Sequence, residues 1–120
     1  MRQYCLLFSS IVLSFVPRFA DASSPDCSGP NNWASNMAYV HLKNAGLLQP
    51  ETTDFAKTQV TRLASEKIGK DLYRQVHQVT FAKTSMDKIS VVTVSDASHE
   101  ECSMSRVDVF VISQELGDLK

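Results

Sequence analysis

Two spacings of apolar residues divide this chain. Between Asn31 and Asn44, Trp33, Met37, Val40 and Asn44 recur at intervals of three and four, with Ala34, Ala38, His41 and Ala45 beside them, which predicts a helix. Asn31 or Asn32 stands where a cap for its first amides belongs, and Gly46 stands where it would end. Trp33 reads as core, with a contact at the rim as the alternative. From Thr53 onward Ala56, Val60, Leu63, Ala64 and Ile68 repeat in the same way, among Lys57, Thr61, Arg62, Ser65, Glu66 and Lys67. That spacing predicts a second amphipathic helix, capped by Thr53, with Asp54 in its first turn and Gly69 at its end.

After Asp71 the period falls to two. Tyr73, His77, Val79 and Phe81 share one face of a strand over Leu72–Phe81, with Arg74, Val76, Gln78 and Thr80 on the other. Ile89–Ser95 and Val107–Ser113 are dense in β-branched residues and predict two more strands. Leu72, Val76 and Val79 also fit a helical period, which leaves residues 70–78 open between a last helical turn and a strand. Thr84–Lys88 suits a hairpin connection, and Asp96–Arg106 is a longer one. Consecutive strands usually pair, so the expected fold is α+β: two amino-terminal helices packed on a three-stranded antiparallel β-meander.

The amino terminus has its own pattern. Arg2 precedes the uncharged, mostly apolar run Tyr4–Val16, and Ala20-Asp21-Ala22 follows with small residues at both positions a signal peptidase reads. The run is 13 residues long, short of the roughly 20 that a spanning helix needs. Residues 1–22 therefore read as a signal peptide, and residues 23–120 as one small domain that does not span the membrane, periplasmic or secreted. Of the three cysteines, Cys5 leaves with the signal peptide. Cys27 and Cys102 remain in a chain addressed to an oxidising compartment and are expected to pair.

Charge narrows the choice of partner. The whole chain carries 12 basic and 13 acidic residues, and loss of Arg2, Arg18 and Asp21 with the signal peptide leaves a net charge of −2. No basic surplus exists to hold a phosphate backbone, so nucleic acid is not an expected partner. The chain has no glycine-rich phosphate loop and no G-x-G-x-x-G, and nothing in it calls for a cofactor.

Asp96–Arg106 is the chemically richest segment, with Asp96, His99, Glu100 and Glu101 close together. A histidine among carboxylates has the residue types of an acid–base pair or a metal site, but there is no H-E-x-x-H, no second nearby histidine and no C-x-x-C, so neither a metal nor a catalytic residue is assigned. His77 reads as a satisfied or edge histidine, and His41 as a residue of the first helix's last turn. The expected function is that of an exported protein-binding module: an inhibitor or immunity-type partner of an envelope or extracellular enzyme. His99, Glu100, Glu101, Arg106 and Met86 are its candidate contacts. The alternatives are a small secreted hydrolase using His99 with a nearby carboxylate, and an accessory subunit of an envelope assembly.

Overall fold

The structure, a computed structural model, describes residues 23–112. The signal-peptide reading of residues 1–22 and the assignment of Ser113 to a strand fall outside them. Helix α1 (Trp33–Asn44) leads through a single 3-10 turn at Pro50–Thr52 into four strands: β1 (Thr53–Gly69), β2 (Leu72–Lys83), β3 (Lys88–Ala97) and β4 (Asp108–Ile112). They form one antiparallel sheet in the order β1-β2-β3-β4. The α+β class, the meander and the Cys27–Cys102 bridge agree with expectation. The count of two helices and three strands does not: among the described residues one α-helix packs on four strands.

The second expected helix is β1. Its spacing of three and four arises from breaks in the pairing with β2, at Asp54/Gln59, Arg62/Ala64 and Lys67/Gly69. A bulge inserts an unpaired residue and resets which side chains face inward. Val60 and Arg62 thus lie opposite Val79 and His77, whereas beyond the bulge at Leu63 it is Ser65 and Lys67 that lie opposite Gln75 and Tyr73. The supposed apolar stripe is not a buried face either, since Leu63 is 53% and Ile68 40% exposed. Thr53 and Gly69 are therefore the ends of a strand. Residues 72–78 are strand from the outset, and Lys70-Asp71 forms the tight turn before them, with Asp71 at φ 46, a left-handed conformation that Asp tolerates better than most residues.

Helix α1 begins and ends close to where its sequence places it. Asn32 is the N-cap residue, yet its side chain makes no capping bond; the hydroxyl of Ser35 donates instead to the carbonyls of Gly29 and Asn32, at 2.9 and 3.0 Å. At the other end Gly46 sits at φ 74, with its N–H bonded to the Lys43 carbonyl and the Leu47 N–H to that of Leu42. This pair of bonds closes the last turn and needs a residue at ease with positive φ. The buried face of α1 is Ala34, Ser35, Ala38 and Leu42 rather than the Trp33–Met37–Val40 stripe. Trp33 is half-buried and donates its indole N–H to the Ser105 carbonyl at 2.9 Å, pinning the start of the helix to the β3–β4 connection.

The covered face of the sheet has two halves. Toward the β2–β3 hairpin, Ala38, Leu42 and Leu48 close over Val79, Phe81 and Val91, all nearly inaccessible, with Tyr39, Val60, Ile89 and Val109 around them. Removing a large aliphatic side chain from water stabilises the fold by about 1.5–3 kcal/mol. Toward the β1–β2 turn, the same face presents Gln75, His77, Thr93 and Ser95, also buried. Leu42→Ala should cost about 2–5 kcal/mol in urea denaturation. Leu63→Ser, at the exposed bulge, should change stability by less than about 0.5 kcal/mol, whereas a buried helical stripe would make both substitutions costly.

Candidate functional site

Three separate segments meet at the end of the sheet that carries the β1–β2 turn. They are the amino-terminal strap of residues 23–29, the turn at Lys70-Asp71 and the β3–β4 connection, residues 98–107. Cys27 and Cys102 are joined by a disulfide across a sequence separation of 75 residues, which binds the strap covalently to the connection. A closed loop of that length removes about 4–5 kcal/mol of chain entropy from the unfolded state. Such a bridge is the product of an oxidising, non-cytoplasmic compartment. Among the described residues no helix is long and apolar enough to cross a membrane.

His99 ties the three segments together without covalent bonds. Its Nδ1 faces the Asp71 carboxylate, its Nε2 lies 2.6 Å from the Ser23 carbonyl, and its backbone N–H donates to Asp71 at 3.2 Å. The ring also stands edge-on to Tyr73, with centroids 5.3 Å apart. Both partners of the ring are acceptors, so satisfying them together requires both N–H groups, which is the imidazolium form. The Ser23 carbonyl and then Asp71 hold the His99 pKa above its ordinary value, and hydrogen bonding from His99 holds the Asp71 carboxyl below its own. The stability His99 contributes is fully present below pH 6.5 and disappears as pH rises through its higher folded value.

The connection is braced from within. The Ser98 hydroxyl accepts from the N–H groups of Glu100 and Glu101, and the Ser98 N–H donates to the Glu101 carbonyl. Met104 N–H donates to the Asp96 carbonyl, and the Ser105 hydroxyl accepts from the Asp96 N–H at 2.8 Å. Glu100, Glu101 and Arg106 project into solvent from this fixed backbone. Arg106 pairs with Asp108 at 3.2 Å and Arg74 with Asp96 at 3.0 Å, and the two pairs line a shallow cleft of about 310 Å³ on the outer face of the sheet. Among the described residues no group of three His, Cys, Asp or Glu side chains is placed to hold a metal ion.

Of the five expected contact residues, His99, Glu100, Glu101 and Arg106 belong to this connection, the first three at its start and Arg106 at its end. Met86 does not. It is 87% exposed at the tip of the β2–β3 hairpin, with φ 70, and the ten residues of β3 separate it from the loop by about 30 Å. His41 is exposed in the last turn of α1, as expected. His77 is neither satisfied nor at an edge: it is fully buried on an interior strand, and among the described residues neither ring nitrogen has a partner.

The sequence reading missed the residues that hold the strap. The Pro25 carbonyl accepts from Arg62 Nη1 at 3.2 Å and from Gln75 Nε2 at 2.8 Å, and Gln75 also bonds the Ser65 hydroxyl. Strand parity alone places Gln75 on the face of Tyr73 and His77, but no sequence signal names a carbonyl 50 residues earlier as its partner. No protein-family model, curated protein or solved structure matches this chain. In an NMR titration the His99 ring should change charge above pH 6.5, and Asp71→Asn should move that midpoint downward. A midpoint at 6.5 that Asp71→Asn leaves in place would show that the bridging contacts do not form in solution.

Proposed function

We propose that the chain is an exported protein-binding module that presents the disulfide-bridged end of its sheet to an extracytoplasmic enzyme, as an inhibitor or immunity-type partner. The observation that carries this reading is the convergence of strap, turn and β3–β4 connection, cross-braced by Cys27–Cys102 and by His99. A surface ordered before binding loses little entropy on association. Glu100, Glu101 and Arg106 supply the charged contacts of that end, and the 30 Å offset of Met86 assigns it no part in the same footprint. Engagement of both His99 ring nitrogens by acceptors supports binding over hydrolysis, because a general base needs a free imidazole nitrogen. Affinity capture with the oxidised domain from envelope or secreted extract should recover a partner enzyme. Glu100→Lys, Glu101→Lys and Arg106→Glu together should weaken recovery at least about tenfold, about 1.4 kcal/mol, while Met86→Ser leaves it unchanged. Equal recovery by the charge-reversed protein would remove this end from the interface.

The accessory-subunit reading is favoured by a different observation. The outer face of the sheet is covered by no other described element, and Phe110, at 58% exposure, stands on it beside Val92, with Ile112 and Val94 adjacent. Strand β4 is also an edge that carries no charge beyond Asp108, whereas the opposite edge, β1, is bulged and holds Lys57, Arg62, Glu66 and Lys67. Uncharged, unbroken edges invite strand addition. On this reading sedimentation should show association with rising concentration that Phe110→Lys abolishes. A monomer at every concentration would contradict self-association through this face.

A further inference from the structure

We propose that residues 23–29 are a proton-operated strap, and that protonation of His77, buried beside them with no acceptor for either ring nitrogen among the described residues, lifts the strap from the sheet between Ser23 and its anchor at Cys27. This property belongs to the chain alone and does not depend on the end of the sheet binding a protein.

Among the described residues the surroundings of His77 offer a proton little counter-charge. From β1 it faces Arg62, its partner in register, a cation. From β3 it faces Thr93, whose hydroxyl is directed at the backbone carbonyl of His77, at 3.5 Å. The buried face of α1 is Ala34, Ser35, Ala38 and Leu42, with no charge, and the Ser35 hydroxyl is already committed to Gly29 and Asn32. The strap contributes Asp26, but that carboxylate is exposed and bonded to the N–H and hydroxyl of Ser28. One buried acceptor nearby has no partner, Oε1 of Gln75, and its amide is fixed by the bonds of Nε2 to Pro25 and Ser65. Burial first, and then Arg62, lower the His77 pKa, against a smaller opposing effect of Asp26.

A proton on His77 thus adds a buried cation next to the exposed Arg62, beside a strap held at its centre by two hydrogen bonds to the Pro25 carbonyl. Cys27 is held covalently and Ser23 by His99. Between those anchors the strap is held at the Pro25 carbonyl by Arg62, the register partner of His77, and by Gln75, two residues before it on β2. The sign of the effect follows from linkage. His77 stays neutral while the strap is closed and regains an ordinary pKa of 6.5 once water reaches it. The ratio of open to closed strap then rises about tenfold per pH unit below 6.5, until the closed-state pKa is reached. His99, held above 6.5, gains charge rather than losing it as pH falls, so its hold on Ser23 does not loosen in that range. Asp26 and Asp71, both held below 3.8, respond only to stronger acid.

The test is NMR on the oxidised chain, following water exchange of the Gln75 side-chain amide, corrected for its intrinsic rate, together with the Overhauser contact between Pro25 and Gln75. Protection should fall about tenfold per pH unit below 6.5 and the contact should fade with it. In His77→Gln, which cannot take up a proton, both should stay constant over the same range. An equal fall in His77→Gln, or constant protection in the wild type, overturns the proposal. If His77→Gln does not fold, the wild-type ring titration decides. A His77 midpoint below 6.5, with Gln75 exchange changing alongside it, supports the strap. Titration of His77 with no change at Gln75 overturns it.

Discussion

The disulfide between Cys27 and Cys102 is the constraint on which the rest of this structure depends. The helix covers only part of the sheet; Val79, Phe81 and Val91 lie under Ala38, Leu42 and Leu48, but Gln75, His77, Thr93 and Ser95 are buried on the same face nearer the β1–β2 turn. Polar side chains of that kind do not draw a cover over themselves by the hydrophobic effect, and burying them costs free energy unless partners are found. The bridge holds the strap of residues 23–29 over this half, so that the Pro25 carbonyl becomes the partner of Arg62 and Gln75.

The same constraint shapes the end of the sheet. Once Cys27 is fixed to Cys102, Ser23 lies within reach of His99, and His99 in turn reaches the turn at Asp71. Strap, turn and β3–β4 connection become one braced surface, with Trp33 bonding the start of α1 to the far side of that connection. The two histidines there answer acid in opposite directions. His99 is satisfied as a cation and His77 is buried without a partner among the described residues, so the same strap is gripped by one protonated ring and loosened by the other.

Much of this was legible in the sequence. Alternation over residues 72–81 and the β-branched runs at 89–95 and 107–112 located three strands, Gly46 marked the end of α1, and Cys27 and Cys102, the two cysteines outside the expected signal peptide, were expected to pair and do. His99, Glu100, Glu101 and Arg106 were legible as members of the one connection between the last two strands, where the structure has them. Strand β1 was not recognised, because bulges at Leu63 and around residues 55–58 break the period of two that identifies a strand and leave apolar residues at helical spacing. The grip on the strap was hidden for another reason. It rests on backbone carbonyls of Ser23 and Pro25, which every residue type possesses, so side-chain identity carries no record of it.

The central claim is that the bridged strap seals His77 into the interior, and reaction of the histidines with diethyl pyrocarbonate tests it most directly. With the bridge intact His41 should be modified readily while His77 stays unmodified, and reduction of Cys27–Cys102 should make His77 reactive. Modification of His77 in the oxidised protein at the rate of His41 would contradict the account.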